Sequence, residues 1–176
     1  MKKLTLLLKS VVESRGEVAD QLKLPGDAVL IQRGQPRWLL LKCPCGCGDE
    51  IPVNLDRRAG KAWRFYYGDA KSGVTLFPSI WLDTGCESHF IIWRDQILLF
   101  GGRDDDVSSS PIHPELRSLS RRVLERWPSE GWSSYADVAD GLGEIPWDVL
   151  DACRYLAHAG SLIEGRGQQR GMFRRR

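Results

Sequence analysis

The sequence lacks any apolar run close to the roughly 20 residues that a bilayer-spanning helix needs. It also lacks a strong charge of one sign, because the net charge is only +2 over 176 residues. A value this small does not by itself indicate a nucleic-acid or membrane partner. Lys9 interrupts the N-terminal leucine run and no small-residue cleavage site follows, so no signal peptide is predicted. We therefore expect a cytoplasmic protein with no membrane partner.

Cysteine and histidine are scarce, but they are clustered. The chain has five cysteines and three histidines, and four of the cysteines with one histidine fall within residues 43–47 and 86–89. In a reducing cytosol, clustered cysteines are more often metal ligands or reactive thiols than disulfides. The outlying Cys153 lies in a helical pattern and is predicted to be a core residue, and His113 and His158 are predicted to be surface or core residues.

The periodicity of the sequence changes near its middle. Residues 1–103 contain short β-branched or aromatic runs separated by turn residues, which predicts a compact antiparallel sheet, sandwich or partly open barrel. Residues 104–111 are rich in aspartate and serine and predict a linker. Residues 112–176 show helical spacing before a final β-hairpin. The predicted fold is α+β, with an antiparallel, β-rich, zinc-containing domain before a winged-helix-like domain. The predicted strands cover residues 27–32, 37–42, 50–55, 62–67, 73–77, 89–93 and 96–99.

The order of three helices and a hairpin resembles the winged helix-turn-helix family over residues 114–176. A DNA-binding member of that family needs basic or amide side chains early in the second helix of the turn-helix unit. Here the first part of that helix, IPWDVLDACR, carries Asp148 and Asp151, whose negative charges would repel phosphates. The basic hairpin still offers Arg166 and Arg170 for contacts with a phosphate backbone. DNA is therefore a candidate partner, and a protein is the alternative.

The cysteine and histidine spacing predicts zinc. Zinc usually takes four thiolate or imidazole ligands, often as pairs at turns. Five candidates compete for these four places, either as three cysteines with His89 or as four cysteines with His89 left free to act as a base. A site closed by four protein ligands would be structural, because catalysis by zinc requires an open position. The candidates are Cys43, Cys45, Cys47, Cys86 and His89.

Three stretches occur in a characteristic order: CPCGCGDEI, VTLFPSI and CESHFIIWRDQIL. Together with the preceding LPGDAVLIQRGQPRWLLLK, they resemble a family of small Cys-rich bacterial proteins over roughly residues 10–100. Genes of this family often lie beside ubiquitin-like, E1-like and E2-like genes in operons associated with phage defence. The resemblance implies a role in processing, attaching or removing a ubiquitin-like protein, with that protein or the E1/E2-like proteins as partners. The C-terminal segment is not part of the family pattern.

A peptidase, which this resemblance implies as one possibility, needs a nucleophile and a base. The motif positions supply Ser79, Ser88 and His89, with Asp83 as a possible orienting carboxylate. Ser88 and His89 are adjacent and would point to opposite faces of a strand. Ser79 and His89 on neighbouring strands therefore form the better pair. The alternative is a non-enzymatic regulator in which the zinc-binding domain and the winged helix bind DNA or a partner protein.

Overall fold

The computed structural model describes residues 4–68, 73–100 and 115–176. The chain divides into two compact units, Met1–Asp106 and Val107–Arg176, and each is described by itself. The predicted linker at residues 104–111 and His113 lie outside the described residues. Within the described ranges, no helix is both long and apolar enough to cross a membrane.

Two β-sheets form the N-terminal unit. One sheet has the strand order β1-β9-β8-β7-β6, and the other has the order β2-β3-β4-β5. The strands are β1 (Leu4–Thr5), β2 (Leu7–Val12), β3 (Asp27–Arg33), β4 (Gln35–Lys42), β5 (Glu50–Asn54), β6 (Arg64–Tyr66), β7 (Thr75–Trp81), β8 (His89–Trp93) and β9 (Gln96–Phe100).

Alternate residues of both sheets meet in one hydrophobic core. Leu39 and Leu41 of β4 contribute from the four-stranded sheet, and Phe90 and Ile92 of β8 contribute from the five-stranded sheet. Their spacing of two residues is that of a strand with one buried face. Cys43 belongs to the same cluster and is fully buried, so the cysteine-rich segment begins inside the core of the sandwich.

The other face of the four-stranded sheet is partly covered by the segment that follows β2. Val18 and Leu22 pack there in a second cluster with Val29, Ile31 and Leu40. The buried carboxylate of Asp27 holds this covering segment by accepting hydrogen bonds from the backbone N–H groups of Lys23 and Leu24, at 3.0 and 2.8 Å.

The N-terminal strands differ from the expectation of a purely antiparallel unit. The predicted strands begin at residue 27, and the structure adds two before it: β1 pairs with β9 in one sheet and β2 pairs with β3 in the other. The β2–β3 pairing is parallel, which corrects that expectation. Because the two strands are separated by the buried Leu6 alone, this short segment connects both sheets. The strand predicted at residues 73–77 instead begins at Thr75 and continues through Pro78 to Trp81.

The C-terminal unit has the predicted order of three helices followed by a hairpin, with one short additional strand. Its elements are α1 (Leu116–Arg126), β10 (Ser133–Ser134), α2 (Tyr135–Leu142), α3 (Pro146–His158), β11 (Leu162–Glu164) and β12 (Met172–Arg175). The strands form a sheet in the order β10-β12-β11. Buried side chains from all three helices form its core, and Cys153 is among them as predicted.

The ends of these helices follow from specific residues. Ser134 caps α2 by accepting a hydrogen bond from the N–H of Ala136 at 3.1 Å. Pro146 occupies the first turn of α3, where its missing N–H costs nothing. Gly160 follows α3 with a φ of +80°, a conformation that favours glycine. At α1, the guanidinium of Arg175 donates to the terminal carbonyl of Trp127 at 3.3 Å.

Candidate functional site

The four clustered cysteines lie on two hairpin loops that belong to different sheets. Cys43, Cys45 and Cys47 lie in the β4–β5 loop, which is closed by a hydrogen bond from the N–H of Cys43 to the carbonyl of Asp49 at 2.8 Å. Gly46 in this loop has a φ of +90°, so glycine permits the tight turn. Cys86 lies in the β7–β8 loop. Each sheet of the sandwich therefore supplies part of one cluster.

The sulfur atoms are close enough together to bind one metal ion. All four sulfurs lie within 4.8 Å of one another. The Sγ of Cys43 is 3.3 Å from that of Cys45 and 3.7 Å from that of Cys86. Thiolate–zinc bonds of about 2.3 Å place the sulfurs of a tetrahedral site about 3.8 Å apart. The four thiols thus fit a tetrahedral, thiolate-binding metal ion.

The hydrogen bonds around the sulfurs favour the thiolate form of Cys45 and Cys86, whereas the pKa of Cys47 is raised. A hydrogen bond from the Ser88 hydroxyl lowers the pKa of Cys45 to about 6 and also lowers the pKa of Cys86. The N–H of Cys47 donates to the Sγ of Cys45 at 3.4 Å. Burial instead raises the pKa of Cys43 above its usual range. A bound cation would reverse that shift, because a coordinating thiol loses its proton.

His89 lies outside the group of four sulfurs. It is the first residue of β8, and its imidazole is held between two aromatic rings from the neighbouring strands. The ring of Trp81 stacks on it with centroids 5.7 Å apart, and the ring of Phe100 lies 4.6 Å away on the other side. Of the two ligand sets that the sequence left open, this geometry matches four cysteines with His89 free. We call Trp81 and Phe100 the aromatic clamp.

Ser79 lies on β7, and His89 lies on the neighbouring strand β8. His89 pairs with Trp81 across β7 and β8, while the inward-facing Ile80 pairs with Phe90. The register of these two strands shifts between Leu76 and Ile80, and Ser79 lies within this irregular stretch, so the direction of its side chain does not follow from alternation along β7. Among the described residues, no hydrogen bond joins Ser79 to His89. The carbonyl of Ser79 accepts a hydrogen bond from the indole N–H of Trp63 at 3.4 Å.

Asp83 and Ser88 lie in the loop between these strands. Asp83 is exposed, and it makes no hydrogen bond with His89 in the described part of the chain. Ser88 is buried, and its hydroxyl lies 3.2 Å from the Sγ of Cys86. Ser88 therefore contacts the cysteine cluster, whereas the next residue, His89, contacts the aromatic clamp. This agrees with the expectation that the two adjacent side chains point to opposite faces.

The sequence does not predict the contact of Ser88 with the sulfurs or the two aromatic rings around His89. Ser88 supports two sulfurs, and the aromatic clamp encloses the candidate base. The sequence predicts a strand at residues 96–99, but only the register of β9 against β8 places Phe100 opposite His89. The spacing of residues within a single segment does not indicate which residue of another strand lies opposite His89.

In the C-terminal unit, Arg166 and Arg170 are both exposed and line one concavity with Arg176.

We expect the purified protein to carry about one metal ion per chain, bound by the four cysteines. Replacing Cys47 or Cys86 by serine should remove most of it, because a hydroxyl is a poor ligand for a thiolate-binding ion. Metal content should also fall as the pH is lowered, since the thiolates become protonated. Elemental analysis of the purified variants after dialysis measures the metal-to-protein ratio.

The matched controls are Cys153→Ala, which removes a thiol outside the cluster, and His89→Ala. Both should retain the metal. Loss of the metal from His89→Ala, with a native circular dichroism spectrum, would show that the imidazole is a ligand and would contradict the four-cysteine assignment.

The N-terminal unit is similar to a known protein family. Residues 14–100 match the family model described as bacterial ubiquitination-like system serine protease (BubE). Comparison with curated proteins and comparison with solved structures each gave no significant match. The matched segment contains all four clustered cysteines, Ser79 and His89, and it leaves out residues 101–176. The match supports the family resemblance found in the cysteine-rich and Ser-His motifs and links this region to a bacterial ubiquitination-like system.

Proposed function

We propose that the protein is a serine peptidase that processes or deconjugates the ubiquitin-like protein of a bacterial ubiquitination-like system. The observation that carries this proposal is the location of Ser79 and His89 on neighbouring strands within the segment that matches the serine protease family. A phage-defence role and E1-like or E2-like partners follow from the resemblance. Asp83, in the loop between the two strands, is the candidate orienting carboxylate.

In the proposed reaction, Ser79 is the nucleophile and His89 is the general base. The imidazole accepts the proton of the Ser79 hydroxyl as its oxygen attacks the scissile carbonyl, and then gives this proton to the leaving amine. Water hydrolyses the resulting ester and regenerates the serine. The two rings of the aromatic clamp would hold the imidazole plane fixed during both proton transfers, which is the positioning that general base catalysis requires.

We further propose that the metal is zinc and that its role is structural. The four-sulfur arrangement is typical of structural zinc sites, in which protein side chains fill every coordination position. Such an ion supplies no open position for water or substrate. Its contribution would be to hold the β7–β8 loop, and with it the first residue of β8, in place.

The peptidase proposal is tested with Ser79→Ala and His89→Ala. Each variant should reduce cleavage of a cognate ubiquitin-like precursor by about 10³-fold or more, because loss of either member disables the pair. Cleavage is followed by mass spectrometry of the released peptide. A fluorophosphonate probe should label the native protein and should not label Ser79→Ala.

His158→Ala, in the C-terminal unit, is the matched control and should leave cleavage unchanged. The metal-to-protein ratio is measured in parallel so that damage to the cluster is separated from loss of catalysis. Full cleavage by Ser79→Ala would exclude this serine as the nucleophile.

A further prediction concerns Trp81, the ring of the aromatic clamp that stacks on His89. Trp81→Leu removes the ring that stacks on His89, and the imidazole then gains freedom to leave its orientation. We expect kcat to fall by about tenfold with a smaller change in KM, because a positioning residue acts on the chemical step. Trp81→Phe, which restores a ring, should recover most of kcat. A pure KM effect would instead assign Trp81 to substrate binding.

Binding of a nucleic-acid backbone is a second candidate function, and it concerns the C-terminal unit. Arg166, Arg170 and Arg176 line a concavity of about 590 Å³ beside β11. The described residues provide no carboxylate partner for these three side chains, since the nearby Glu164 pairs with Arg154 at 3.4 Å. Arginine binds phosphate oxygens through two parallel hydrogen bonds. A winged-helix assignment for this unit is part of the same proposal.

Arg166→Ala/Arg170→Ala should weaken binding to a DNA duplex of about 20 base pairs and should reduce the salt slope by about one unit per lost phosphate contact. Fluorescence anisotropy over a salt series measures both quantities. Arg117→Ala/Arg121→Ala removes the same charge from exposed positions of α1 and should have little effect. Absence of binding at about 50 mM salt would exclude this function.

A further inference from the structure

The outer face of the four-stranded sheet carries a cleft that the proposed peptidase reaction does not use. Its volume is about 600 Å³, within the range of about 300–1,000 Å³ that is usual for small-molecule sites. It lies on the face that packs against the segment after β2, opposite to the face that forms the main sandwich core. Its lining combines an apolar floor with a basic rim.

The floor is built from two cross-strand pairs. Ile31 of β3 lies opposite Trp38 of β4, and Leu40 of β4 lies opposite Pro52 of β5. Ile31 and Leu40 are buried, whereas Trp38 is 37% exposed. The covering segment therefore protects only part of this sheet face and leaves the indole and its neighbours as a flat apolar surface.

The rim carries unpaired positive charge. Arg15 and Arg33 are exposed, and in the described part of the chain neither has a carboxylate within salt-bridge distance. The Nε of Arg33 donates to the carbonyl of Glu13 at 2.7 Å. This bond fixes the guanidinium at the rim and leaves its terminal N–H groups available. An anion at the cleft would thus meet donors that are already in place.

The single carboxylate that lines the cleft does not neutralise this charge. Asp56 accepts hydrogen bonds from Arg58, at 3.0 Å from Nε, and from Arg37. Hydrogen bonds from Arg58 and then the charge of Arg37 lower the pKa of Asp56 to about 2, so it remains ionised and engaged with these two arginines. The Nε of Arg37 is buried without a hydrogen-bond partner among the described residues.

We propose that this cleft is a binding site for a mononucleotide. The flat base would stack on Trp38 over the floor of Ile31 and Leu40, and the phosphate would be held by Arg15 and Arg33. A base has an aromatic face that stacks on tryptophan without regard to sequence, and arginine matches phosphate geometry. The volume of the cleft, about 600 Å³, suits one nucleotide and is small for a longer polymer segment.

The shared chemistry of the ligand is a flat ring joined to an anionic group, and each half has its own recognition element. The proposal therefore makes a prediction that a simple anion site or a simple apolar site does not make. Both halves must be present on one molecule for strong binding.

Isothermal titration calorimetry of the full chain with AMP, adenosine and inorganic phosphate tests this requirement. AMP should bind saturably, and adenosine and phosphate should each bind at least about tenfold more weakly. Trp38→Leu and Arg15→Ala/Arg33→Ala should each weaken AMP binding by at least about tenfold. Trp38→Phe should retain part of the affinity because it keeps an aromatic face.

Arg117→Ala/Arg121→Ala is the charge-matched control and should bind AMP normally. Thermal melting of each variant checks that the fold is intact, which is expected because the replaced side chains are exposed. The proposal is overturned if AMP, GMP, CMP and UMP all fail to bind saturably, or if phosphate binds as tightly as AMP. It is equally overturned if folded Trp38→Leu binds AMP with native affinity, or if an acidic peptide saturates the cleft when the nucleotides do not.

Discussion

The contact between Cys43 and Cys86 joins the two sheets of the N-terminal unit at one end of the sandwich. The loops that carry these residues, 43–49 and 82–88, are rich in glycine and polar residues and have little apolar surface of their own to bury. Their positions therefore depend on the sulfur cluster, with its sulfur–sulfur distance of 3.7 Å across the sheets. A bound ion would stabilise the arrangement, because bringing four thiolates together without a cation is opposed by their mutual repulsion.

The last residue of the β7–β8 loop and the first two residues of β8 link the sulfur cluster to the proposed catalytic base. Ser88 lies beside the sulfur of Cys86, His89 lies in the aromatic clamp, and Phe90 is buried in the sandwich core. Because side chains alternate along a strand, a shift of one residue would exchange these environments. The cluster and the core together fix the register of β8 and thereby orient the imidazole. A structural metal can in this way influence catalysis without touching the substrate.

Features that depend on the residues of a single segment can be predicted from the sequence. Features that depend on pairing between distant segments cannot. The turn at residues 43–48 follows from its glycines, and the end of α3 follows from Gly160. The parallel pairing of β2 with β3 and the position of Phe100 opposite His89 required the registers themselves. For the same reason, the spacing of cysteine and histidine in the sequence gives five ligand candidates. Only the folded structure shows that the four sulfurs lie together and that the imidazole of His89 lies outside their group.

Arginine number is a poor guide to anion binding in this chain, because internal hydrogen bonds already occupy some of the guanidinium groups. Five arginines follow Glu164, yet Arg175 binds helix carbonyls and Arg174 lies over the ring of Trp132 at 5.3 Å. At the cleft of the other unit, Arg37 and Arg58 are likewise engaged by Asp56. What distinguishes a surface able to bind an anion is therefore the subset of arginines that have no carboxylate partner and keep terminal N–H groups available, as Arg33 does. The net charge of +2 does not indicate which arginines of either unit belong to this subset.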